Sequence, residues 1–245
     1  MKIGETAKIA IALTATLEPS EAIPNLLIRD SSERLGEYSR SIHWWSKLAN
    51  QNGFDLFVFE NSGRASDLAI FESESVSIIP VPIQNPTEVI RGKGAGESLI
   101  LSLASKVLSD YALVFKCTGR LRVLNAPDLM SRHLSVPSAQ AMISWNANFS
   151  QVDTRCFSVR PAFLREWMSA IESEVSDDQG FDLESQSAGW LLTQILAGHQ
   201  IMDFPRSPAI VGRSGSEGVS YSQRKALARL LIERVTRGRL KTDPR

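Results

Sequence analysis

The chain has 245 residues, of which 43% are apolar, 22% charged and 7% aromatic, with 27 basic and 27 acidic side chains. That length can bury a substantial core in one large domain or two fused lobes, and the composition excludes a collagen, a disulfide scaffold or a wholly disordered chain. A formal net charge of zero argues against a dedicated nucleic-acid binder, which carries a basic excess.

The short apolar run Ile9 to Leu13, flanked by Glu5 and Lys8, is too short for a signal peptide. Lys8 to Thr16 predicts a buried strand. Leu35, Tyr38, Ile42, Trp45 and Leu48 recur at spacings of three and four, so Ser31 to Asn52 predicts an amphipathic helix, stopped by Asn52-Gly53. Phe54 to Glu60 is a second strand and Val76 to Pro80 a third, followed by a loop rich in Pro and Gly. Leu99, Ile100, Leu103, Ala104 and Val107 predict a helix over Glu97 to Leu108, and Tyr111 to Lys116 a fourth strand. Strand, helix and strand in alternation imply βαβ units and a largely parallel sheet flanked by helices, an α/β fold.

Beyond Asn125 the pattern is mixed. Ala139 to Trp145 and Val152 to Val159 read as strands, Pro161 to Val175 as a helix with Pro in its first turn, and Asp182 to Leu196 as another. Pro208 to Tyr221, rich in Gly and Ser, reads as a loop able to fold over a phosphate or as a plain connector before the last helix. From Arg224 to Arg245 there are eight basic residues and two acidic ones, so the overall neutrality joins a basic tail to an acidic body. Leu227, Leu230, Leu231 and Val235 line one side of a helix over Ser222 to Leu240, a form that packs on the core with its basic face solvated or, alternatively, lies on an anionic membrane surface. No apolar stretch approaches the roughly 18 residues of a membrane span, which gives the expectation of a cytoplasmic protein, peripheral on the inner membrane if the tail binds it. The two cysteines, Cys117 and Cys156, lack a zinc or disulfide spacing and read as buried thiols. His43, His133 and His199 stand in unrelated contexts.

In an open parallel sheet, ligands bind beyond the carboxyl ends of the strands. Four segments fall there: Thr14-Ala15-Thr16, Glu60-Asn61-Ser62-Gly63, Arg91 to Glu97 and Lys116 to Arg120. Glu60, Asn61 and Ser62 suit hydroxyls or a nucleobase edge, or a plain turn. In the third segment glycines and two cations precede a helix, where free N–H groups favour an anion, yet the segment matches neither the P-loop nor G-x-G-x-x-G. In the last, Lys116 and Arg120 flank a Thr-Gly turn and offer a point charge and a planar fork, or simply end a strand in exposed charges. Seven acids and no base lie between Glu166 and Glu184. Asp182 and Glu184 open a helix, as general-base candidates or as partners of the helix dipole. Asp153, beside Arg155, is a third candidate.

In this order, the segments TAT, FDLFVFENSG, GKGAGES, VFKCTGRLRVLN and VGRSGSEGVSY resemble bacterial GT-A-like glycosyltransferases that assemble surface polysaccharides and lipopolysaccharide O-chains, over about Lys8 to Tyr221. The resemblance implies a GT-A-like Rossmann-type half over about 1–135 that holds a nucleotide-sugar donor, an acceptor half over 136–223, and a tail at 224–245. It places Thr14, Glu60, Asn61 and Ser62 near the nucleoside. Lys93, Gly94, Gly96 and Glu97 would lie beside the donor and Lys116, Thr118, Gly119 and Arg120 near the diphosphate or sugar; from the residues themselves, Arg91 joins the donor candidates and Arg213, Ser214 and Ser216 the loop that could fold over a phosphate. The acceptor would be a growing or lipid-linked glycan, with Glu184, Asp182 or Asp153 as base and no nucleic-acid partner. The chain departs from the many members that hold a divalent metal through Asp-x-Asp, a motif that occurs nowhere here. Metal-independent transfer is therefore expected, with metal use, a noncatalytic sugar- or nucleotide-binding protein and a nucleotidyltransferase as the alternatives.

Overall fold

The computed structural model describes residues 7–21, 23, 26–82, 91–214 and 219–240, with the backbone alone for 231 and 233–240. The elements in chain order are β1 (Ile9–Ala15), α1 (Ser31–Asn52), β2 (Asp55–Glu60), a 3-10 turn (Ala65–Phe71), β3 (Val76–Pro80), α2 (Lys93–Val107) and β4 (Leu113–Thr118). Then come β5 (Arg122–Val123), α3 (Ala126–Leu134), β6 (Ala139–Trp145), β7 (Val152–Val159), α4 (Pro161–Ile171), a 3-10 turn (Asp177–Gln179) and α5 (Leu183–Leu196). β8 (Gln200–Met202), β9 (Ile210–Arg213), β10 (Ser220–Tyr221) and α6 (Gln223–Leu240) complete the chain.

β1 is buried at every position, as its unbroken apolar run requires of a central strand covered on both faces. The main sheet has the order β3-β2-β1-β4-β7-β6-β8. β3, β2, β1 and β4 run parallel, β7 is antiparallel to both β4 and β6, and β8 runs parallel to β6. The helical stripe of α1 lays Tyr38, Ile42, Trp45 and Leu48 on one face with Leu13 and Phe115, and α3 adds Leu129 and Met130 there. α2, α4 and α5 cover the other face through Ile100, Leu101, Phe163, Trp167 and Leu191. Asp30 caps α1 by accepting from Glu33 N at 2.7 Å, and Gly53 ends it with a φ of 68°. A small sheet of β10, β9 and β5 stands beside the main one.

This topology decides where chemistry can occur. Thr14 pairs with Thr118, Ala15 with Glu60, and Glu60 with Pro80, so the carboxyl ends of the parallel strands share one edge. Because β7 runs the other way and pairs Cys156 with Cys117, its first residues, Asp153 to Arg155, reach that same edge.

Several sequence expectations change. β4 continues through Cys117 and Thr118, so Lys116 lies inside the strand. α2 begins at Lys93, which puts Gly94 and Gly96 in its first turn and leaves Gly92 as the cap. α4 stops at Ile171, short of Val175. Pro208 to Tyr221 contains a β9–β10 hairpin whose first strand pairs with β5, rather than a continuous lid. The composition around Asn125 hid α3. Its His133 is fully buried, with Nδ1 at 2.7 Å from Ser158 Oγ and Nε2 at 3.0 Å from the Ala139 carbonyl. A carbonyl only accepts, so Nε2 carries the proton, and burial pushes the imidazole down to about 4. Cys117 and Cys156 are buried thiols, as expected. Among the described residues, no helix is long and apolar enough to cross a membrane.

Candidate functional site

Two cavities open at the carboxyl edge of the sheet. The first, of about 180 Å³, is walled by the β1–α1 loop, by Arg34 and Tyr38 of α1, by Asn61 and Ser62 after β2, by Gly92, Lys93 and Glu97 of α2, and by Thr118 and Arg120 after β4. The second, of about 500 Å³, is lined by Trp145 of β6, Asp153 and Arg155 of β7, Glu184 of α5, and Arg213, Ser214 and Tyr221 of the hairpin. Lys93, Thr118 and Arg120 line both, so they form the junction between the two.

At that junction the charges are ordered from the inside outward. Lys116 is fully buried; its ammonium donates to Glu97 Oε1 and to the Thr154 carbonyl and lies 5.7 Å from the centre of the Phe157 ring. Thr14 Oγ1 donates to the same Glu97 oxygen at 3.1 Å. Burial alone would raise the Glu97 carboxyl, but Lys116 and Lys93 outweigh it and hold it below its ordinary value. Lys93 is exposed and has no ion pair among the described residues. Arg120 is 8% exposed, donates to Glu37 Oε2 at 3.0 Å and keeps a buried Nε that has no partner among the described residues. The ring of Tyr38 lies 5.9 Å from the Arg120 guanidinium and 5.8 Å from that of Arg34. Among the described residues Arg34 meets only neutral acceptors, Thr16 O at 2.7 Å and Ile28 O at 3.0 Å, together with the Tyr38 hydroxyl. Burial consequently lowers its guanidinium from its ordinary value.

Not every residue expected here faces a cavity. Glu60 turns inward: its carboxylate accepts from Leu17 N at 3.1 Å, Ser62 N at 2.9 Å, Arg64 N at 2.9 Å and the Ser62 hydroxyl. It holds the loops after β1 and β2 together. Arg91 donates to the carbonyls of Glu172 at 2.5 Å and Val175 at 2.7 Å, pinning the chain after α4. Gly94 N donates to Asp177 Oδ2 at 2.6 Å. The anion at the start of α2 is thus a side chain of the protein itself, one whose carboxyl is raised by burial. The glycines serve this approach, since a Cβ on Gly92 would fall 2.5 Å from Asp177 Oδ2 and one on Gly94 2.7 Å from Asp177 Oδ1. A Cβ on Gly119 would fall 2.7 Å from Thr14 O, which lets the chain turn tightly after β4.

The acid–base candidates separate clearly. Asp182 caps α5 by accepting from Ser185 N at 2.6 Å and lines neither cavity. Asp153 is clamped by Arg155, with Nε at 2.8 Å and Nη2 at 2.6 Å, and Arg155 also donates to the Tyr221 hydroxyl at 2.6 Å. Glu184 accepts from Thr154 Oγ1 at 2.7 Å and has no ion pair among the described residues, and burial raises its carboxyl above its ordinary value. Arg213 lines the second cavity but pairs with Glu33 of α1 at 2.5 Å. Ser216 lies outside the described residues. Among the described residues, no three His, Cys, Asp or Glu side chains are grouped so as to hold a metal ion.

Arg34 and Tyr38 escaped the sequence reading because the latter fits the apolar stripe of α1 and the former is a lone cation at its start. Their spacing of four on one helix face was the available signal.

No protein-family model matches the chain, and no curated protein matches it in sequence. Among solved structures, it is similar over 81% of its length to a protein assigned as a nucleotide-diphospho-sugar transferase from Desulfovibrio desulfuricans G20, at 10% identity and a TM-score of 0.48, covering 80% of that chain. It is also similar to a glycosyltransferase involved in glycosylation of the major capsid of PBCV-1, at 11% identity and a TM-score of 0.49, covering 80% of this chain and 81% of that one. A third is a CMP:2-keto-3-deoxy-manno-octonic acid synthetase complexed with CTP, at 10% identity and a TM-score of 0.47, covering 93% and 99% of the two chains. Likeness at this level carries no functional argument.

Proposed function

We propose that the protein is a nucleotide-sugar-dependent glycosyltransferase, acting on a growing or lipid-linked glycan in bacterial surface-polysaccharide synthesis. The observation that carries the reading is the pair of cavities joined at Lys93, Thr118 and Arg120, with Glu184 in the second and free of any ion pair among the described residues. The nucleoside diphosphate of the donor occupies the first cavity and the acceptor the second, so the anomeric carbon sits at the junction. An acceptor hydroxyl attacks that carbon and passes its proton to Glu184. The bond from carbon to diphosphate oxygen breaks, and the nucleoside diphosphate leaves with the electron pair, inverting the anomeric centre. A raised carboxyl is the better proton acceptor near neutral pH. The charge that develops on the leaving group is met by Lys93 and Arg120, and we propose that no resident metal is needed.

Transfer or hydrolysis of a panel of nucleotide sugars, with magnesium, manganese or EDTA, tests this. Turnover that persists in EDTA and falls about a hundredfold or more in E184Q with unchanged nucleotide binding supports it. Nucleotide binding without any turnover would leave a binding protein. Turnover of a nucleoside triphosphate with magnesium, releasing pyrophosphate, would identify a nucleotidyltransferase instead.

A further inference from the structure

A third cavity, of about 440 Å³, lies between β7, the β9–β10 hairpin and the start of α6. It shares Ser144, Asp153, Arg155 and Tyr221 with the second cavity, so the clamp of Arg155 on Asp153 and Tyr221 is the partition between them. Lys225 and Arg229, on the far wall, stand four residues apart on one side of α6, next to Ala226, which is 8% exposed and packs with Ala209 and Val211. Neither cation has an ion-pair partner among the described residues. The one carboxylate among the lining residues, Asp153, is already held by Arg155 at 2.8 and 2.6 Å. Two like charges at this spacing repel each other along a helix, and a concave wall that excludes solvent on one side strengthens the pull on an anion.

We propose that this groove is a binding site for a phosphate-class anion, held by Lys225 and Arg229 with Arg155 at its inner end. The site holds whatever chemistry the main cavities perform. It takes a phosphate or diphosphate group, supplied either by a soluble ligand or by a lipid headgroup. Lys and Arg together suit such a group, one as a compact charge and the other as a planar fork.

Backbone hydrogen–deuterium exchange of the full chain locates the site without interference from the first cavity, which a diphosphate would also enter. The probes are inorganic pyrophosphate, vesicles containing phosphatidylglycerol, and vesicles of phosphatidylcholine alone. Slower exchange over 219–229 with pyrophosphate alone assigns a soluble phosphate, and with phosphatidylglycerol vesicles alone a headgroup; with both, the site takes either. In each case K225E/R229E should weaken the effect roughly tenfold or more, while the exchange of the main sheet without any probe stays as in the parent, which shows that the variant folds. Equal protection by phosphatidylcholine, protection that survives charge reversal, or no protection by either anionic probe would overturn the proposal.

Discussion

Replacing Lys116 by methionine separates the structural role found here from a direct contact with a donor. The substitution keeps an unbranched side chain one atom shorter but removes a fully buried ammonium, leaving Glu97 with the hydroxyl of Thr14 and the more distant charge of Lys93, and the Thr154 carbonyl without its lysine donor. Removing one member of a buried ion pair costs about 3–5 kcal/mol, because the other charge stays behind unpaired. Against a typical total of about 5–15 kcal/mol, K116M should unfold at much lower urea, and E97Q should also be destabilised. The double variant K116M/E97Q should recover about 1–3 kcal/mol relative to the sum of the two losses. The pH response changes as well. Glu97 is held low in the folded protein, so its contribution is present above the unfolded carboxyl value and lost as pH falls through the folded one; K116M should remove that acid-side loss. Urea titrations followed by circular dichroism give the energies, and titration calorimetry of the double variant gives its affinity for nucleoside diphosphates, expected to stay within about threefold. A K116M protein as stable as the parent but unable to bind nucleotide would refute the buried role.

Three further outcomes follow from the same physics. E184Q should melt higher than the parent above neutral pH, because the folded carboxyl is raised by burial and its ionisation opposes folding there, and the gain should vanish as pH falls below the unfolded carboxyl value; an equal shift at every pH would contradict this. His133 is held down to about 4 against an ordinary 6.5, so its stabilisation is complete above 6.5 and is lost toward 4, at about 1.4 kcal/mol per pH unit. H133Q should flatten that slope, and an unchanged slope would assign the acid sensitivity elsewhere. G119A must displace Thr14 or Tyr38, which its Cβ would meet at 2.7 and 2.9 Å, at a cost of about 1–3 kcal/mol, read as a lower melting temperature.

The parts of the fold legible in the sequence were those whose signal is local. β1 announces itself by a continuous apolar run, and α1 by its stripe from Leu35 to Leu48 and its Asn-Gly stop; both ends of α1 match the expectation. The edge that gathers Thr14, Asn61, Thr118 and Arg120 followed from the parallel order alone. What stayed hidden depends on partners distant in sequence. The glycines before Glu97 look like a loop until Asp177, more than 80 residues on, is seen to bond Gly94. Lys116 looks like the exposed end of a strand until Glu97 and Thr154 enclose it. The hairpin strands β9 and β10 are too short to show a period, and β9 is placed by its pairing with β5. Glu184 could be named from its helix start, but only the third dimension distinguishes it from Asp182, which is used as a cap.

The facing cysteines of β4 and β7 give the molecule a built-in clock. Cys117 and Cys156 pair across the seam where the parallel strands meet the antiparallel ones, and burial pushes the Cys117 thiol up to about 12 and the Cys156 thiol well above its ordinary value. A thiol reagent needs both access and the thiolate, and the closed sheet withholds both. Both side chains pack beneath α1 and α3, beside Trp45 and Met130, so alkylation can proceed only when that helical layer lifts from the sheet. The rate at which the two sulfurs are modified therefore counts the openings of that layer, and a ligand braced against α1 would slow the count.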